Sequence, residues 1–361
     1  MCKKQMFLLI LISVVQQNFA AHNFTYGSVQ RTLAGTLKTK PLRKNLPHET
    51  KEKLIIDTDL GFDDALAIMY LGKTDKFDIK AITTVAGNFD IQATTNNALY
   101  VLDFLGQQIP VYSGSSAPIE QKKQLAFDAA GQENFLLEQP KKELGPILHN
   151  APLTNNAAAK IVELVRAYPH HITILAIGPQ SNIAEAFKMA PDLPSLVKRI
   201  VFMGGAIDSA GNTNRVAEFN IFLDPMAAYS VLTSSVTKVM VPLDICNTIP
   251  FDNDVFSALR KKNLIGALDL MRERYITKQS FNHNRGIGHI YDPIAAYYLV
   301  HPEAFILTPM DIVVETRGIY TNGMTVADKR SWGNKKNNII VATHVDQKTF
   351  LHDFMCTLFE Q

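Results

Sequence analysis

The chain has 361 residues, of which 47% are hydrophobic, 9% aromatic and 19% charged. This composition is typical of an ordinary folded protein and excludes disordered, collagen-like and mucin-like chains. A chain of this length buries about three quarters of the surface that it exposes when unfolded, so it can fill one large core or two modest ones. The 36 basic residues nearly balance the 34 acidic ones, which gives no indication of nucleic acid or an anionic membrane as a partner.

The first 21 residues have the features of a secretory signal peptide. Lys3 and Lys4 precede a ten-residue apolar run at 6–15, and small residues follow at Ala20 and Ala21. The run is about half of the roughly 20 residues that span a bilayer. A buried N-terminal helix is the alternative. We therefore expect a secreted, extracellular protein that is formally neutral and has no membrane attachment after cleavage.

The segment after the signal peptide is a polar arm, residues 22–52, with few large apolar side chains. It is expected to be loosely ordered, because it cannot bury enough surface to offset its ordering entropy. The glycosylation sequon Asn23-Phe-Thr25 lies at its start, which fits export. Cys246 and Cys356 remain in the mature chain, and one disulfide or two separate thiols both suit them.

From residue 53 onward, short apolar runs alternate with helical periodicity, and residues 53–361 are expected to form one domain. Strands are predicted at 54–57, 79–85, 110–112, 172–177, 199–203, 239–243, 311–314 and 338–342. Helices are predicted at 63–71, 91–105, 155–168, 181–189, 224–233, 252–262, 293–300 and 346–359. This alternation indicates an α/β fold with a central, mainly parallel, open sheet of Rossmann-like type, flanked by helices.

Ligands of such sheets bind at the carboxyl ends of the strands, and the first strand ends in a dense acidic cluster. Four carboxylates lie within eight residues, at Asp57, Asp59, Asp63 and Asp64. They repel one another unless positive charge lies among them, and a hard divalent cation such as calcium or magnesium prefers oxygen ligands of this kind. Helix capping explains Asp63 and Asp64 but not the two acids at the strand end. The cluster therefore predicts a metal site.

An EF-hand is excluded, since the twelfth position counted from Asp57 is Ile68, where that loop needs a glutamate.

Further polar motifs follow the acidic cluster along most of residues 53–350. In chain order the motifs are Asp57-Thr-Asp59-Leu-Gly61-Phe-Asp63-Asp64-Ala65, Thr83-Thr-Val-Ala-Gly-Asn88, Ile177-Gly-Pro-Gln-Ser-Asn182, Met203-Gly-Gly with Asn212 after it, Val216-Ala-Glu218-Phe-Asn220-Ile-Phe-Leu-Asp224-Pro225, Tyr291-Asp292-Pro293 and Gly323-Met-Thr-Val-Ala-Asp328. Together they resemble the inosine-uridine type nucleoside hydrolases, which cleave the N-glycosidic bond of ribonucleosides with a bound calcium ion.

The resemblance implies the nucleoside hydrolase fold, a calcium site and a catalytic base. Asp59, Asp64 and Asp292 would bind calcium through their carboxylates, and Ile177 through its main-chain carbonyl. A water and two ribose hydroxyls would complete the shell of oxygen ligands. Asp59 would be the general base that takes the proton of this calcium-held water.

The resemblance also implies a ribose pocket. Asp63 and Asn220 would bind the 2′ and 3′ hydroxyls, Asn212 and Glu218 would bind the 5′ hydroxyl, and Asn88 would line the pocket. Carboxylates around the sugar stabilise the positive charge that develops as the glycosidic bond breaks. Taken singly, these residues also fit turns, helix caps or surface positions. Their arrival at successive strand ends favours a shared site.

The residues expected to contact the nucleobase differ from those of the family. Many members carry a leaving-group histidine directly before the last calcium aspartate, where this chain has Tyr291. The reference pKa of tyrosine is near 10, against about 6.5 for histidine, so Tyr291 is expected to contact the base and not to protonate it. A second histidine motif is replaced by Ala130-Gly131-Gln-Glu133-Asn134. Residues 279–291 are expected to form a mobile segment against the base, and a plain connecting loop is the alternative.

The expected substrates are purine ribonucleosides, with uridine as a further candidate, and the expected assembly is a homodimer or a homotetramer. Two other functions stay open. A haloacid-dehalogenase-type phosphatase shares the phrase Asp57-Thr-Asp59, but it needs Gly-Thr where this chain has Leu60-Gly61. A secreted nucleoside-binding protein without activity would explain the missing histidines. Release of ribose separates an enzyme from a binding protein, and release of phosphate identifies a phosphatase.

Overall fold

The computed structural model describes residues 51–119, 156–251, 288–333 and 335–359. Its strands are β1 (Glu52–Thr58), β2 (Phe77–Thr84), β3 (Val111–Ser113), β4 (Ile172–Ala176), β5 (Arg199–Met203), β6 (Lys238–Val241), β7 (Pro250–Phe251), β8 (Gly288–His289), β9 (Phe305–Met310), β10 (Ile312–Val314), β11 (Thr325–Ala327) and β12 (Ile339–Val345). Its helices are α1 (Phe62–Lys73), α2 (Ile91–Leu105), α3 (Ala157–Ala167), α4 (Ser181–Met189), α5 (Leu193–Leu196), α6 (Phe219–Leu223), α7 (Pro225–Thr233), α8 (Leu243–Cys246), α9 (Asp292–Val300) and α10 (Gln347–Phe359), with a 3₁₀ turn at Pro302–Ala304.

The central sheet has the strand order β3-β2-β1-β4-β5-β6-β12-β9. All of its strands run parallel except β9, which pairs antiparallel with β12 at the edge. The predicted α/β class and mainly parallel sheet are therefore confirmed. The carboxyl ends of β1, β2, β4 and β5 lie side by side, which brings the predicted motifs to one edge of the sheet.

Both faces of the sheet are buried, which explains why its strands read as continuous apolar runs. Along β1, Leu54 and Ile56 pack into one core and Ile55 packs into the other. Helices α1, α2, α9 and α10 cover the first face, and α3, α4 and α7 cover the second. Strands that are covered on both faces need no polar alternation. Among the described residues, no helix combines the length and the apolar character that a membrane crossing requires.

The strand predicted at 311–314 is confirmed, but it lies outside the central sheet. Residues Ile312–Val314 form β10, which pairs only with β11 in a small separate hairpin. The edge of the main sheet is instead β9, which the sequence analysis does not predict. Most of β9 is not buried, and it contains Pro309. Proline is tolerated on edge strands, where its missing N–H faces no partner.

The N-terminal boundaries differ in detail from the prediction. Glu52 was assigned to the polar arm, but it begins β1, and its carboxylate forms an ion pair with Arg199 and accepts a hydrogen bond from Thr173. The predicted signal peptide and residues 22–50 of the arm lie outside the described residues, as does the predicted helix at 252–262. Leu243 was predicted to end a strand, but it begins the short helix α8.

Candidate active site

Asp59 lies at the centre of the edge where the motifs meet. Its carboxylate is fully buried, and its Oδ2 accepts the backbone N–H of Asn88 at 2.6 Å. A Cβ atom on Gly87 would lie 2.1 Å from Asp59 Oδ2, and a Cβ atom on Gly178 would lie 2.8 Å from the Asp59 backbone nitrogen. Only glycine fits at both positions, so the segments after β2 and β4 close tightly around Asp59. Within the described part of the chain, Asp59 Oδ1 has no hydrogen-bond partner.

Three further carboxylates form a tight group beside it. Ligand oxygens of Asp63, Asp64 and Asp292 all lie within 4.8 Å of one another, and all three residues are buried. Asp63 and Asp64 occupy the first turn of α1, and Asp292 begins α9, so two helix N-termini face the group. The positive ends of these helices stabilise negative charge. The structure thus brings Asp63 and Asp64 of the predicted acidic cluster together with Asp292, which the family resemblance implies as a metal ligand.

Neighbouring polar groups orient these acids. Asp64 Oδ1 accepts the hydroxyl of Thr58, and Asp64 Oδ2 accepts the backbone N–H of Gly61 at 2.9 Å. The side-chain amide of Asn88 lies 3.4 Å from Asp64 Oδ2. Asp63 Oδ2 accepts the backbone N–H of Tyr291 at 3.1 Å. The acids are therefore held by backbone N–H groups and by neutral side chains, and no cationic side chain in the described part of the chain hydrogen-bonds them.

Burial and mutual repulsion make these acids hard to ionise without a cation. Burial, with the charge of Asp64 next, raises the pKa of Asp63 to about 7. Burial and the neighbouring acids likewise raise the pKa of Asp59 and of Asp292 well above the ordinary range. Carboxylates with these properties ionise together only when a cation lies among them. An all-oxygen donor set with an unsatisfied oxygen at Asp59 Oδ1 fits a hard divalent cation, so this group of aspartates can hold a metal.

The raised pKa values predict how metal-free protein responds to pH. The carboxyl of Asp63 has a pKa of about 7 in the folded protein against an ordinary 3.8, so the folded state binds more protons than the unfolded state between these values. The free energy of unfolding should therefore fall as pH rises from about 4 to about 7. Thermal unfolding in chelator at pH 5 and pH 8 measures this, with Asp63→Asn as the control that should weaken the trend. A metal-free protein that gains stability over this range contradicts the assignment.

Two of the predicted ribose residues, Asn220 and Glu218, are buried at the ends of β4 and β5. Asn220 Nδ2 donates to the main-chain carbonyls of Ile177 and Met203, at 3.3 Å each. Glu218 is almost fully buried and caps α6, where its carboxylate accepts the backbone N–H groups of Asn220 and Ile221 at 2.8 and 3.1 Å. The alternative that Asn220 and Glu218 are surface residues is therefore wrong. Asn220 and Ile177 share a contact at the end of β4, as their motifs suggest.

Tyr291, which is expected to contact the nucleobase, is surrounded by Asn212, His289 and Cys246. Burial raises the pKa of its phenol above the ordinary range, and a hydrogen bond from the Asn212 side chain acts in the opposite direction. The ring stacks on that of His289, with centroids 6.3 Å apart and planes 4° apart. Cys246 is buried behind it, with its thiol 4.0 Å from the Tyr291 carbonyl oxygen. Cys246 and Cys356 are both free, so the disulfide alternative is wrong.

Several supporting residues were not predicted. Asp57 is not part of the tight group of three, since its Oδ1 accepts the hydroxyl of Thr83 at 2.5 Å and the side-chain amide of Asn182 at 2.8 Å. The motif that ends at Asn182 is visible in the sequence, but a hydrogen bond between residues 125 positions apart leaves no signal there. Residues 130–134 and 279–287, which were expected near the base, lie outside the described residues.

Comparisons with known proteins agree with this geometry. Residues 54–352 match the family of inosine-uridine preferring nucleoside hydrolases. The chain is 33% identical to the non-specific ribonucleoside hydrolase RihC of Escherichia coli over 298 residues, which cover 82% of this chain and 95% of the relative.

Two solved structures are also similar. The plant nucleoside hydrolase PpNRh1 superposes with a TM-score of 0.76 at 27% identity, covering 86% of this chain and 99% of that one. The purine-preferring ribonucleoside hydrolase of Gardnerella vaginalis superposes with a TM-score of 0.74 at 28% identity, covering 85% and 98%. The chain therefore belongs to the inosine-uridine preferring nucleoside hydrolase family and is a nucleoside hydrolase, as its motifs predict.

Proposed function

We propose that this enzyme hydrolyses purine ribonucleosides, and also uridine, to free base and ribose with the help of a bound calcium ion. The observation that carries the proposal is the group of buried acids, Asp63, Asp64 and Asp292, beside the unsatisfied Oδ1 of Asp59. The names of the relatives support the substrate class, since one is a non-specific ribonucleoside hydrolase and another is purine-preferring. A panel of ribonucleosides assayed for ribose release tests it.

The metal ligands would be Asp59, Asp64 and Asp292, with the main-chain carbonyl of Ile177. When bound, calcium supplies positive charge and oxygen-binding positions for a water and for the ribose diol. Calcium suits this site better than magnesium, because it accepts up to eight oxygen ligands in flexible geometry. Asp63, which lies in the same group, would bind the ribose and not the metal. The metal and the ribose would therefore lie next to each other along this group of acids.

Asp59 would act as the general base. Its Oδ2 accepts the Asn88 N–H, and its Oδ1 has no hydrogen-bond partner among the described residues, so the carboxylate keeps free lone pairs both for the metal and for a proton from water. The tight packing of Gly87 and Gly178 prevents the carboxylate from turning away. A base held in one orientation converts proton transfer into an intramolecular step, which lowers the entropic part of the barrier.

The other acids would stabilise the sugar as its bond to the base breaks. Cleavage leaves the ribose ring with cationic character, and Asp63, Glu218 and Asp292 are buried carboxyl groups that would surround it. Charge stabilisation inside a site that excludes water is stronger than in solution. Asp63 and Asn220 would bind the 2′ and 3′ hydroxyls, and Asn212 and Glu218 the 5′ hydroxyl.

We predict a strong preference for ribose over 2′-deoxyribose. Removal of the 2′ hydroxyl leaves Asp63 without its partner and the metal without one ligand. A buried polar group without a partner costs about 1 to 3 kcal/mol, so kcat/KM should fall by at least about tenfold. Steady-state kinetics with inosine and 2′-deoxyinosine measure the difference. Equal efficiency on the two substrates would show that the sugar pocket is wrongly assigned.

A second prediction concerns Tyr291, which should contact the base and not donate its proton. Burial raises the pKa of this phenol, which makes it a still weaker acid at neutral pH. Tyr291→Phe should therefore keep most of the activity on inosine, whereas Tyr291→Ala should lose much of it because the ring is gone. The control is p-nitrophenyl riboside, whose leaving group needs little protonation. A loss of about a hundredfold on inosine alone in Tyr291→Phe would identify the phenol as the acid.

We also propose that the enzyme is secreted, with residues 1–21 removed, and that residues 53–361 form its catalytic domain. The basic, apolar and small-residue segments at the start of the chain support this. N-terminal sequencing of protein from the culture medium should find a start near residue 22, and recovery with Met1 in place would contradict it.

We propose a homodimer or homotetramer as the assembly, which light scattering of the same sample tests.

A further inference from the structure

The carboxylate of Asp244 binds three consecutive backbone N–H groups of one loop. Asp244 lies in the first turn of α8, and its oxygens accept from Ile207 at 2.9 Å, from Asp208 at 2.6 Å and from Ser209 at 2.9 Å. These residues follow β5 and precede Asn212. Three charge-assisted hydrogen bonds to one carboxylate fix the path of a backbone more firmly than neutral contacts do.

The start of the same loop is tied down on both sides. The Gly205 carbonyl accepts the Leu243 N–H of α8 at 2.9 Å. Thr325 of β11 accepts the Ala206 N–H at 2.9 Å and donates its hydroxyl to the Ala206 carbonyl at 2.7 Å. The side chain of Asn247, just after α8, donates to the Ser209 hydroxyl at 2.9 Å. Contacts with α8 and β11 therefore fix the backbone of residues 205–209, and this segment leads directly to Asn212.

Asn212 lies at the candidate active site, next to Tyr291. The side-chain amide of Asn212 lies beside the phenol of Tyr291 and acts to lower its pKa, against the larger effect of burial. Cys246 of α8 packs with its thiol 4.0 Å from the Tyr291 carbonyl oxygen. The short helix α8 therefore contacts the site at two points, through the loop that carries Asn212 and through Tyr291.

We propose that Asp244 is a positioning residue that holds Asn212 where it meets both the ribose 5′ hydroxyl and Tyr291. This inference rests on the proposed function, because that function supplies the 5′ hydroxyl as the partner of Asn212. Without the carboxylate, three N–H groups lose their shared acceptor, and the loop can shift by the small distance that breaks the Asn212 contact. The effect should fall on the 5′ end of the substrate and on KM, since Asp244 touches none of the four acids that carry the chemistry.

The test compares two substrates across three variants of the calcium-loaded protein. The variants are Asp244→Ala, Asp244→Asn, whose amide oxygen keeps an acceptor, and Asp311→Ala as the matched control. Asp311 is a half-buried aspartate that accepts the backbone N–H of Lys336 at 2.8 Å, in a loop outside the site. The substrates are inosine and 5′-deoxyinosine, and thermal unfolding of each variant reports its folding.

We expect Asp244→Ala to raise KM for inosine by about tenfold with little change in kcat, to leave KM for 5′-deoxyinosine within about twofold, and to be partly rescued by Asp244→Asn. The Asp311→Ala control should match the wild type on both substrates. Equal losses of Asp244→Ala on both substrates would overturn the inference while leaving the proposed function intact. If the wild type releases no ribose, the proposed function fails, and calorimetric binding of the two nucleosides then makes the same comparison. Binding of neither nucleoside would contradict both.

Discussion

Asp59→Asn should lower kcat for ribose release from inosine by about 10² to 10⁴, which is the range expected for the loss of a positioned general base. The substitution keeps the size of the side chain, so the tight packing of Gly87 and Gly178 is preserved. The amide oxygen can still accept the Asn88 N–H, which leaves an NH₂ group where Asp59 Oδ1 stands. An NH₂ group accepts no proton, so the water is not activated.

The controls separate this role from others. p-Nitrophenyl riboside should lose as much as inosine in Asp59→Asn, because both substrates need the same nucleophile, whereas Tyr291→Ala should affect inosine more. The metal-free variant should be at least as stable as metal-free wild type, since a carboxyl group with a raised pKa has been removed. Activity within a few-fold of the wild type would show that another group takes the proton.

Removal of the metal should abolish ribose release altogether, and Asp64→Ala should do the same. The buried acids Asp63, Asp64 and Asp292 ionise together only around a cation, so stripped protein has a protonated or distorted site. Calcium should restore the chelated wild type and not the variant. Because metal binding displaces protons from these carboxyls, the calcium affinity measured by calorimetry should fall as pH drops below about 7.

The matched control for Asp64 is Asp224→Asn. Asp224 is equally buried, caps α7 through the Ala227 N–H at 3.0 Å and accepts the Ser181 hydroxyl at 2.6 Å. Asparagine caps helices about as well as aspartate, but its NH₂ group would face the Ile119 N–H that Asp224 Oδ2 accepts at 2.9 Å. This variant should therefore lose some stability and still bind calcium and hydrolyse inosine like the wild type. Full activity of rigorously metal-free wild type would contradict the metal assignment.

Much of the fold follows from local pattern, because strands buried on both faces form uninterrupted apolar runs. The predicted bounds of β5, α2 and α4 agree with the structure to the residue. The apolar pattern does not predict strand β9, because this strand lies at an edge, is mostly not buried and contains Pro309. Its pairing with β12 depends on tertiary contact and not on its own composition.

The candidate site divides in the same way. The acidic cluster that contains Asp63 and Asp64 is recognisable because four acids lie within eight residues and helix capping accounts for only two of them. Asp292 joins them only through the position of α9, which a single sequence does not reveal except by resemblance to a family. Asp244 carries no motif at all, since its importance comes from three backbone N–H groups 35 to 37 residues away. Backbone hydrogen bonds of this kind leave no residue pattern to read.

The most direct test of the central claim is the product analysis of a ribonucleoside panel in phosphate-free buffer, with calcium and with chelator. Purified mature protein with calcium should convert inosine and uridine to free base and ribose in equal amounts, and chelator should stop both reactions. Tight nucleoside binding without any ribose release would instead identify a binding protein. Ribose release that is unaffected by rigorous removal of the metal would contradict the role assigned to the buried aspartates.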